Sequence, residues 1–318
     1  MGAVATVSAS AFAPASIGNV GVGFDLLGLA IAGVGDRVVA ERSDAPGVQI
    51  AALTATPLAR GAEALPADPL ANTAGIAVQA LLDAVGPGFG VVLRIEKGIP
   101  LGSGMGSSAA SAVAAVVAAN ALLDTPLQPA GLLPFALEGE RFASGALHAD
   151  NVAPCLLGGL VLCPARLGAR TVRVPAPAGV VSVLVHPALT VHTAASRRRL
   201  KPDVPLGLAV EQAGCLAAFL AACYRDDIEL LRLSFDDVVI EPQRAAEVAG
   251  FDSVKSAAMS HGALGCSLSG SGPSVFALAP SAEAERVRDA MLAAFQREGS
   301  AADGWISPLD APGARLVP

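Results

Sequence analysis

Pro100-Leu101-Gly102-Ser103-Gly104-Met105-Gly106-Ser107-Ser108 places three glycines and three serines directly ahead of an alanine-rich apolar run. Backbone N–H groups in such a loop, and at the start of a following helix, point outward and attract phosphate oxygens, so the segment can form an anion site. A flexible connection whose glycines only permit a tight turn accounts for the same residues. Ser107 and Ser108 stand where helix caps belong, and a serine hydroxyl there can also ligate Mg²⁺ beside a bound triphosphate. No lysine precedes the two serines, as a Walker A loop requires, and the G-x-G-x-x-G spacing of a dinucleotide fold is absent.

Other residues able to do chemistry lie far from this loop in the chain. His148-Ala149-Asp150-Asn151 is a polar cluster, Glu138 and Glu140 fall on one helical stretch, and Asn72 stands where a helix would be capped. Arg197 opens a run of three arginines, and Arg244 closes Glu241-Pro242-Gln243-Arg244. The planar fork of arginine suits both oxygens of a carboxylate; an exposed basic turn is the plainer account of the run. His186, His192 and His261 show no ligand spacing, and no G-x-S-x-G elbow suggests a serine hydrolase.

The elements that must position these groups are legible from periodicity. Asn72 to Val85 has a broad apolar helical face. Gly90 to Glu96 alternates Val91, Leu93 and Ile95 with Val92, Arg94 and Glu96, the period of a half-exposed strand. The glycine loop follows Pro100 and leads into a helix reaching about Leu123, giving strand, loop and helix N-terminus in series. Helices are also expected over Leu132 to Ala146, Gly207 to Tyr224 and Ala282 to Arg297. Strands are expected over Thr171 to Val174, Val180 to His186, Ala263 to Leu268 and Val275 to Leu278. Without regular strand–helix alternation this is an α+β arrangement, divided near Pro164 into domains 1–164 and 165–318.

Composition narrows the function classes. The chain has 318 residues, 53% hydrophobic and 15% charged, which excludes disorder. A net charge of -7 with 4% aromatic residues argues against a nucleic-acid partner. The uncharged stretch between Lys97 and Asp124 has its clean apolar part only from Ala109 to Leu123, short of the about 20 residues that cross a bilayer. The first charged residue is Asp25, so no basic secretory leader and no membrane segment are expected. Five cysteines without a C-x-x-C pair read as reduced thiols of a cytoplasmic protein.

The loop from Pro100 to Ala110 resembles the phosphate loop of the GHMP kinases. Two further motifs of that family fall in order, Pro14-Ala15-Ser16-Ile17-Gly18-Asn19-Val20-Gly21-Val22-Gly23-Phe24-Asp25 and Ser269-Gly270-Ser271-Gly272-Pro273-Ser274, so the resemblance spans almost the whole chain. It implies the GHMP kinase fold, an N-terminal ribosomal-protein-S5-domain-2-like domain with a C-terminal ferredoxin-like one. ATP would lie on Pro100, Leu101, Gly102, Ser103, Gly104, Met105, Gly106, Ser107 and Ser108, with Asn72 at the adenine and Mg²⁺ on Ser108 and Glu140. The details are most similar to the homoserine-phosphorylating branch, which implies L-homoserine as acceptor, a place in threonine biosynthesis and a homodimer. Asp25 would then meet the ammonium, Asn19 the hydroxyl side, and His148, Asp150 and Asn151 form the family's H-x-D-N cluster. Arg197, in a T-x-x-x-R pattern, and Arg244, in E-P-x-R, would take the carboxylate. Lys201 is one residue more than the family's usual L-P ending after Leu200. Asn151 stands where some GHMP kinases carry a catalytic Asp, which implies a transfer without a dedicated side-chain base, Asp150 being the only nearby residue that could act as one. The alternatives are a GHMP kinase for mevalonate or a sugar, and a non-catalytic nucleotide-binding protein of the same fold.

Overall fold

The computed structural model describes residues 7–144, 149–168, 170–191 and 193–318. The alternation expected from Gly90 forms the strand Gly90–Lys97, with Val91, Leu93 and Ile95 buried. It belongs to a sheet built from β1 (Ser8–Gly18), β2 (Leu27–Ser43), β3 (Val48–Ala55), β4 (Gly90–Lys97), β5 (Leu160–Leu162) and β6 (Val172–Val174). β1 pairs with β2, β2 with β4 and β4 with β3, while β5 joins β2 and β6 joins β5. β3 and β4 are parallel, and the crossover between them contains α1 (Thr73–Val85).

Three more helices follow, α2 (Ser107–Asn120), α3 (Leu133–Ser144) and α4 (Ala149–Leu157). α2 is buried on nearly every side, which its alanine content explains. A helix apolar all round belongs inside, and small side chains let α1, α3, α4 and the sheet approach it closely. Its start is therefore held by packing in the middle of the domain.

The second sheet contains β7 (Val180–Pro187), β8 (Gly265–Leu268), β9 (Val275–Pro280) and β10 (Ala302–Pro308), antiparallel in the order β10-β7-β9-β8. Between its strands lie α5 (Thr193–Arg199), α6 (Leu206–Arg225), α7 (Ile228–Ser234), α8 (Glu241–Arg244), α9 (Phe251–Ser260) and α10 (Ala284–Arg297). Counting α9 and α10 as the crossing helices, this is the β-α-β-β-α-β pattern of a ferredoxin-like unit. Alternate residues serve two cores. Val183, Val185, Val275 and Ala277 pack under α9 and α10, while Leu184, Phe276 and Leu278 join Phe219 and Phe235 in the core shared with the first sheet.

The sheets change over between Val174 and Val180, since β6 still pairs with β5. The chain end also returns: β11 (Arg315–Val317) pairs with β1. Among the described residues one helix, α6, is long and apolar enough to cross a bilayer, with a window hydropathy of 1.7. The expectation of no such segment weighed only the stretch before Asp124. α6 is docked on the protein through Gln212, which donates to the Val22 carbonyl and accepts from the Val238 N–H, and through buried Phe219, Ala222 and Cys223.

Candidate active site

Three glycine-rich segments, distant in sequence, are joined by their backbones. The Ser16 N–H donates to the Met105 carbonyl at 3.0 Å, the Gly270 N–H to Gly18 at 3.1 Å and the Ser274 N–H to Ser103 at 3.1 Å. Ser269 Oγ donates to the Gly104 carbonyl at 2.6 Å. Such close approach requires glycine. At Gly104, φ is +75° and a Cβ would lie 2.4 Å from the Ser269 carbonyl; at Gly106, φ is +69° and a Cβ would lie 2.2 Å from Ser16 Oγ.

Gly106 is also the N-cap of α2, and no side chain caps the helix there. This corrects the capping expectation for both serines. Ser107 Oγ donates to the Ile99 carbonyl at 3.1 Å, and Ser108 Oγ donates to Glu140 Oε2 at 2.7 Å. The first N–H groups of a helix have no partner within it, so α2 keeps an uncapped, positive end facing the loop. Pro100 and Leu101 open that loop, and buried Ser103 and Met105 are its inward anchors. A groove of about 320 Å³ runs along it, lined by Gly102, Gly104, Ser108, Glu140, Asn151 and Gly270 among others. Beside it lies a more apolar cavity of about 210 Å³, walled by Leu53, Leu65, Pro66, Ile95, Leu101 and Phe142.

Of the two acidic residues on α3, Glu140 is buried and faces Ser108, whereas Glu138 pairs with Arg141 on the exposed side. Asn72 borders the apolar cavity and caps α1, accepting from the Ala74 N–H at 3.0 Å and donating to the Pro66 carbonyl at 2.9 Å. Both ends of its amide are thus used within the chain.

Arg197 makes a two-pronged ion pair with Asp25, one arm at 3.1 Å. That contact holds the Arg197 guanidinium above its ordinary pKa. Of the three consecutive arginines only Arg197 turns inward; Arg199 pairs with Glu247, and Arg198 is exposed. The Lys201 N–H donates to Gln243 Oε1 at 2.8 Å, so the residue beyond the usual pattern ties this segment to α8. Arg244 is buried, and its Nη1 donates to the Gly270 carbonyl at 2.9 Å. Asn19 Nδ2 donates to the same carbonyl at 3.0 Å, its Oδ1 accepts from the Asp25 N–H, and its own N–H donates to Asp150 Oδ2 at 3.1 Å.

Asp150 and Asn151 occupy the first turn of α4. Asn151 lines the groove and accepts from Ser16 Oγ at 2.9 Å. Asp150 sits behind it, buried. Burial above all, then the Asp25 charge and, less, that of Glu140, push its pKa to about 7 against the lowering effect of the Asn19 N–H. His148 lies outside the described residues.

The GHMP kinases N terminal domain family matches residues 72–159, and the GHMP kinases C terminal family matches residues 216–297. A homoserine kinase of Xanthomonas campestris pv. campestris is 47% identical over 310 residues, covering 97% of this chain and 94% of that protein. The chain belongs to the GHMP kinase family. A homoserine kinase of Chlorobaculum tepidum is 40% identical over 320 residues, 96% of this chain and 97% of its own. The crystal structure of homoserine kinase from Cytophaga hutchinsonii superimposes with a TM-score of 0.94 at 40% identity, covering 100% of this chain and 99% of that one.

The GHMP kinase motifs leave part of the site unannounced. Beneath the glycine loop, fully enclosed Lys97 pairs with Asp36 and also donates to the Ser107 carbonyl at 2.8 Å and Ser111 Oγ at 2.6 Å. Asp36 accepts in addition from the Gly98 and Ile99 N–H groups, at 2.8 and 3.2 Å, and from Ser111 Oγ at 2.6 Å. A signal was present: Lys97 continues the inward series Val91, Leu93, Ile95, so the period of the strand aims it at the core. Phe24 is a second case, a member of the first motif whose ring lies under two arginines. His186 is a third. Its Nδ1 is 3.1 Å from Ser274 Oγ, and burial pushes its pKa down to about 4, so a neutral ring braces the third glycine segment.

Proposed function

We propose that this chain transfers the γ-phosphoryl group of ATP to the side-chain hydroxyl of L-homoserine, giving O-phospho-L-homoserine and ADP, a step toward threonine made in the cytoplasm. The observation that carries this reading is the cluster of Asp25, Arg197 and Arg244, tied through the Arg244 hydrogen bond to the Gly270 carbonyl to a groove that also runs along the uncapped start of α2. An α-amino acid exchanges for the Asp25–Arg197 pair, its ammonium on Asp25 and its carboxylate on Arg197 and Arg244. The names of the full-length relatives point to the same acceptor. The test is purified protein with ATP and L-homoserine, galactose or mevalonate, following ADP and the phosphorus resonance of the product. ADP formed with another acceptor and none with L-homoserine would overturn the reading.

The apolar cavity between Leu53, Pro66 and Phe142 accepts the adenine, with Asn72 as part of its wall. The phosphates lie along the loop, where backbone N–H groups of Gly102 to Ser108 and the α2 terminus take their charge. Ser108 Oγ and Glu140 Oε2, 2.7 Å apart, stand about as close as neighbouring ligands of a cation bound at about 2.0–2.1 Å. They would hold Mg²⁺ beside the phosphates, and among the described residues no group of three Asp, Glu, His or Cys side chains gathers to hold a metal. When bound, Mg²⁺ would draw charge from the phosphates. A homodimer is part of the same proposal, supported by exposed Leu206 and Val210 on α6; a solution mass of one chain would remove it.

In the transfer the homoserine oxygen bonds to the γ-phosphorus as the bond from phosphorus to the β–γ bridging oxygen breaks. The hydroxyl proton passes to a phosphate oxygen or to water, since transfer of this kind depends on alignment and charge more than on a strong base. Asn151, which faces the groove, orients the acceptor hydroxyl, and Asp150 holds the Asn19 turn from behind. Asp150→Asn is therefore expected to keep appreciable turnover; near-complete loss with binding and fold intact would make Asp150 the base.

The same substitution has a signed effect on stability. The folded pKa of Asp150 is raised from 3.8 to about 7, so the folded protein retains a proton that the unfolded chain releases. Stability from this group is full below about pH 4 and lost as pH rises toward 7, a cost of about 4 kcal/mol above it. Thermal melts of Asp150→Asn should exceed those of the parent near pH 8 and match them near pH 4. A pH-independent difference would count against the raised pKa. Arg244→Ala should raise KM for L-homoserine by about tenfold or more while leaving KM for ATP nearly unchanged, in initial-rate assays with each substrate varied. An equal rise in both would remove Arg244 from the acceptor site.

A further inference from the structure

The guanidinium carbons of Arg197 and Arg244 lie 5.3 and 5.2 Å from the centroid of the Phe24 ring. A cation this close to an aromatic ring is attracted by the negative potential of its face. Two guanidinium groups gathered round one ring repel each other, and the protein compensates them unequally. Arg197 has the Asp25 carboxylate. Among the described residues Arg244 has no ion pair and its buried Nε has no hydrogen-bond partner, while its Nη1 is committed to a carbonyl. Burial opposes its charge most strongly, the Asp25 charge supports it from a distance, and Arg197 opposes it. Asp25 pairs directly only with Arg197, while the Phe24 ring is in contact range of both cations.

The turn that presents this ring is tightly bonded. The Gly23 N–H donates to the Asn19 carbonyl, the Leu26 and Leu27 N–H groups donate to the Gly23 carbonyl, and the Asp25 N–H donates to Asn19 Oδ1. Asp25 takes a left-handed φ of +56°, an unusual cost for a residue other than glycine. That conformation lets consecutive residues 24 and 25 both reach the arginines, one with a ring and one with a carboxylate.

We propose that Phe24 is a positioning residue of the acceptor site, an aromatic seat that holds Arg197 and Arg244 together so that both can take one carboxylate. It acts through the two guanidinium groups and has no part in the chemistry at phosphorus. The inference rests on the reading of L-homoserine as acceptor, and the experiment separates the two. Turnover of L-homoserine by the parent protein is measured first, and its absence removes the acceptor reading. Phe24→Leu, Phe24→Tyr and Phe24→Trp are then compared, with 3-aminopropan-1-ol as the acceptor that lacks only the carboxylate.

Phe24→Leu is expected to raise KM for L-homoserine on the order of tenfold, with kcat and KM for ATP little changed, because the seat is lost and the nucleotide groove is not. The Tyr and Trp variants, which keep an aromatic face, should restore most of it. Toward 3-aminopropan-1-ol the Leu variant and the parent should have the same kcat/KM. The proposal is overturned if KM for L-homoserine stays within twofold in the Leu variant, if Tyr and Trp do no better than Leu, or if 3-aminopropan-1-ol loses as much as L-homoserine. Phe24→Met, also flexible and apolar, serves the same comparison should the Leu variant not fold.

Discussion

Replacing Glu140 with glutamine is expected to lower kcat by about 10²–10³-fold, the scale of removing one charged or donor group that stabilises developing charge. The Glu140 side chain is buried on α3 and accepts from the Ser108 hydroxyl at 2.7 Å, at the point where the glycine loop becomes α2. Glutamine keeps size and one acceptor oxygen, so the fold and the Ser108 contact survive while the negative charge is lost. Half-saturation in Mg²⁺ should rise in the same variant, read by initial rates at fixed ATP. Glu138→Gln is the internal control: that carboxylate pairs with Arg141 on the exposed side of the helix, so its loss should leave the rate within about twofold. Equal effects of the two substitutions would show that helix charge, rather than the Glu140 carboxylate at the loop, matters.

Replacing Lys97 with methionine is expected to destabilise the protein by about 3–5 kcal/mol, because it leaves Asp36 buried without its cation. The melting temperature should drop by roughly 10 °C. Asp36 keeps the Gly98 and Ile99 N–H groups and the Ser111 hydroxyl as partners, which satisfies its lone pairs without neutralising its charge. Asp36→Asn combined with Lys97→Met removes the charge together with its partner and should recover much of the loss. A double variant no better than Lys97→Met alone would mean that Lys97 acts through the Ser107 carbonyl and Ser111 instead. Since that carbonyl belongs to the first residue of α2, KM for ATP should rise in the single variant at temperatures where it remains folded.

How far the chain could be read in advance differs from element to element. α1, β4, α6 and α10 lie within a few residues of their expected limits, because each has a one-face or alternating pattern that local periodicity reports. β3, α7, α9 and β10 had no such expectation. β3 is half exposed and mixed in composition, and the short α7 buries little more than Leu231 and Ser234. α4 was masked by Pro154 within it and by the two glycines that follow. β6 is three residues long, and only its pairing with β5 assigns it to the first sheet.

By itself the sequence determined which groups were available: a glycine loop ahead of an apolar helix, two further glycine motifs, and acids and arginines suited to ATP and an amino acid. Spacing along the chain carries that information, because loop conformation and helix starts are local matters. Only the tertiary structure decided which of them meet. It turned Glu140 rather than Glu138 toward Ser108, chose Arg197 out of three arginines and set it on Asp25, and left the start of α2 uncapped. It also enclosed Lys97 with Asp36 and placed Phe24 under two cations. Glu140 meets Ser108 and Lys97 meets Asp36 through the packing of the first sheet and its helices, and the Asp25 and Phe24 contacts to the arginines join the two halves of the chain; in each case no local preference acts and only packing brings the partners together.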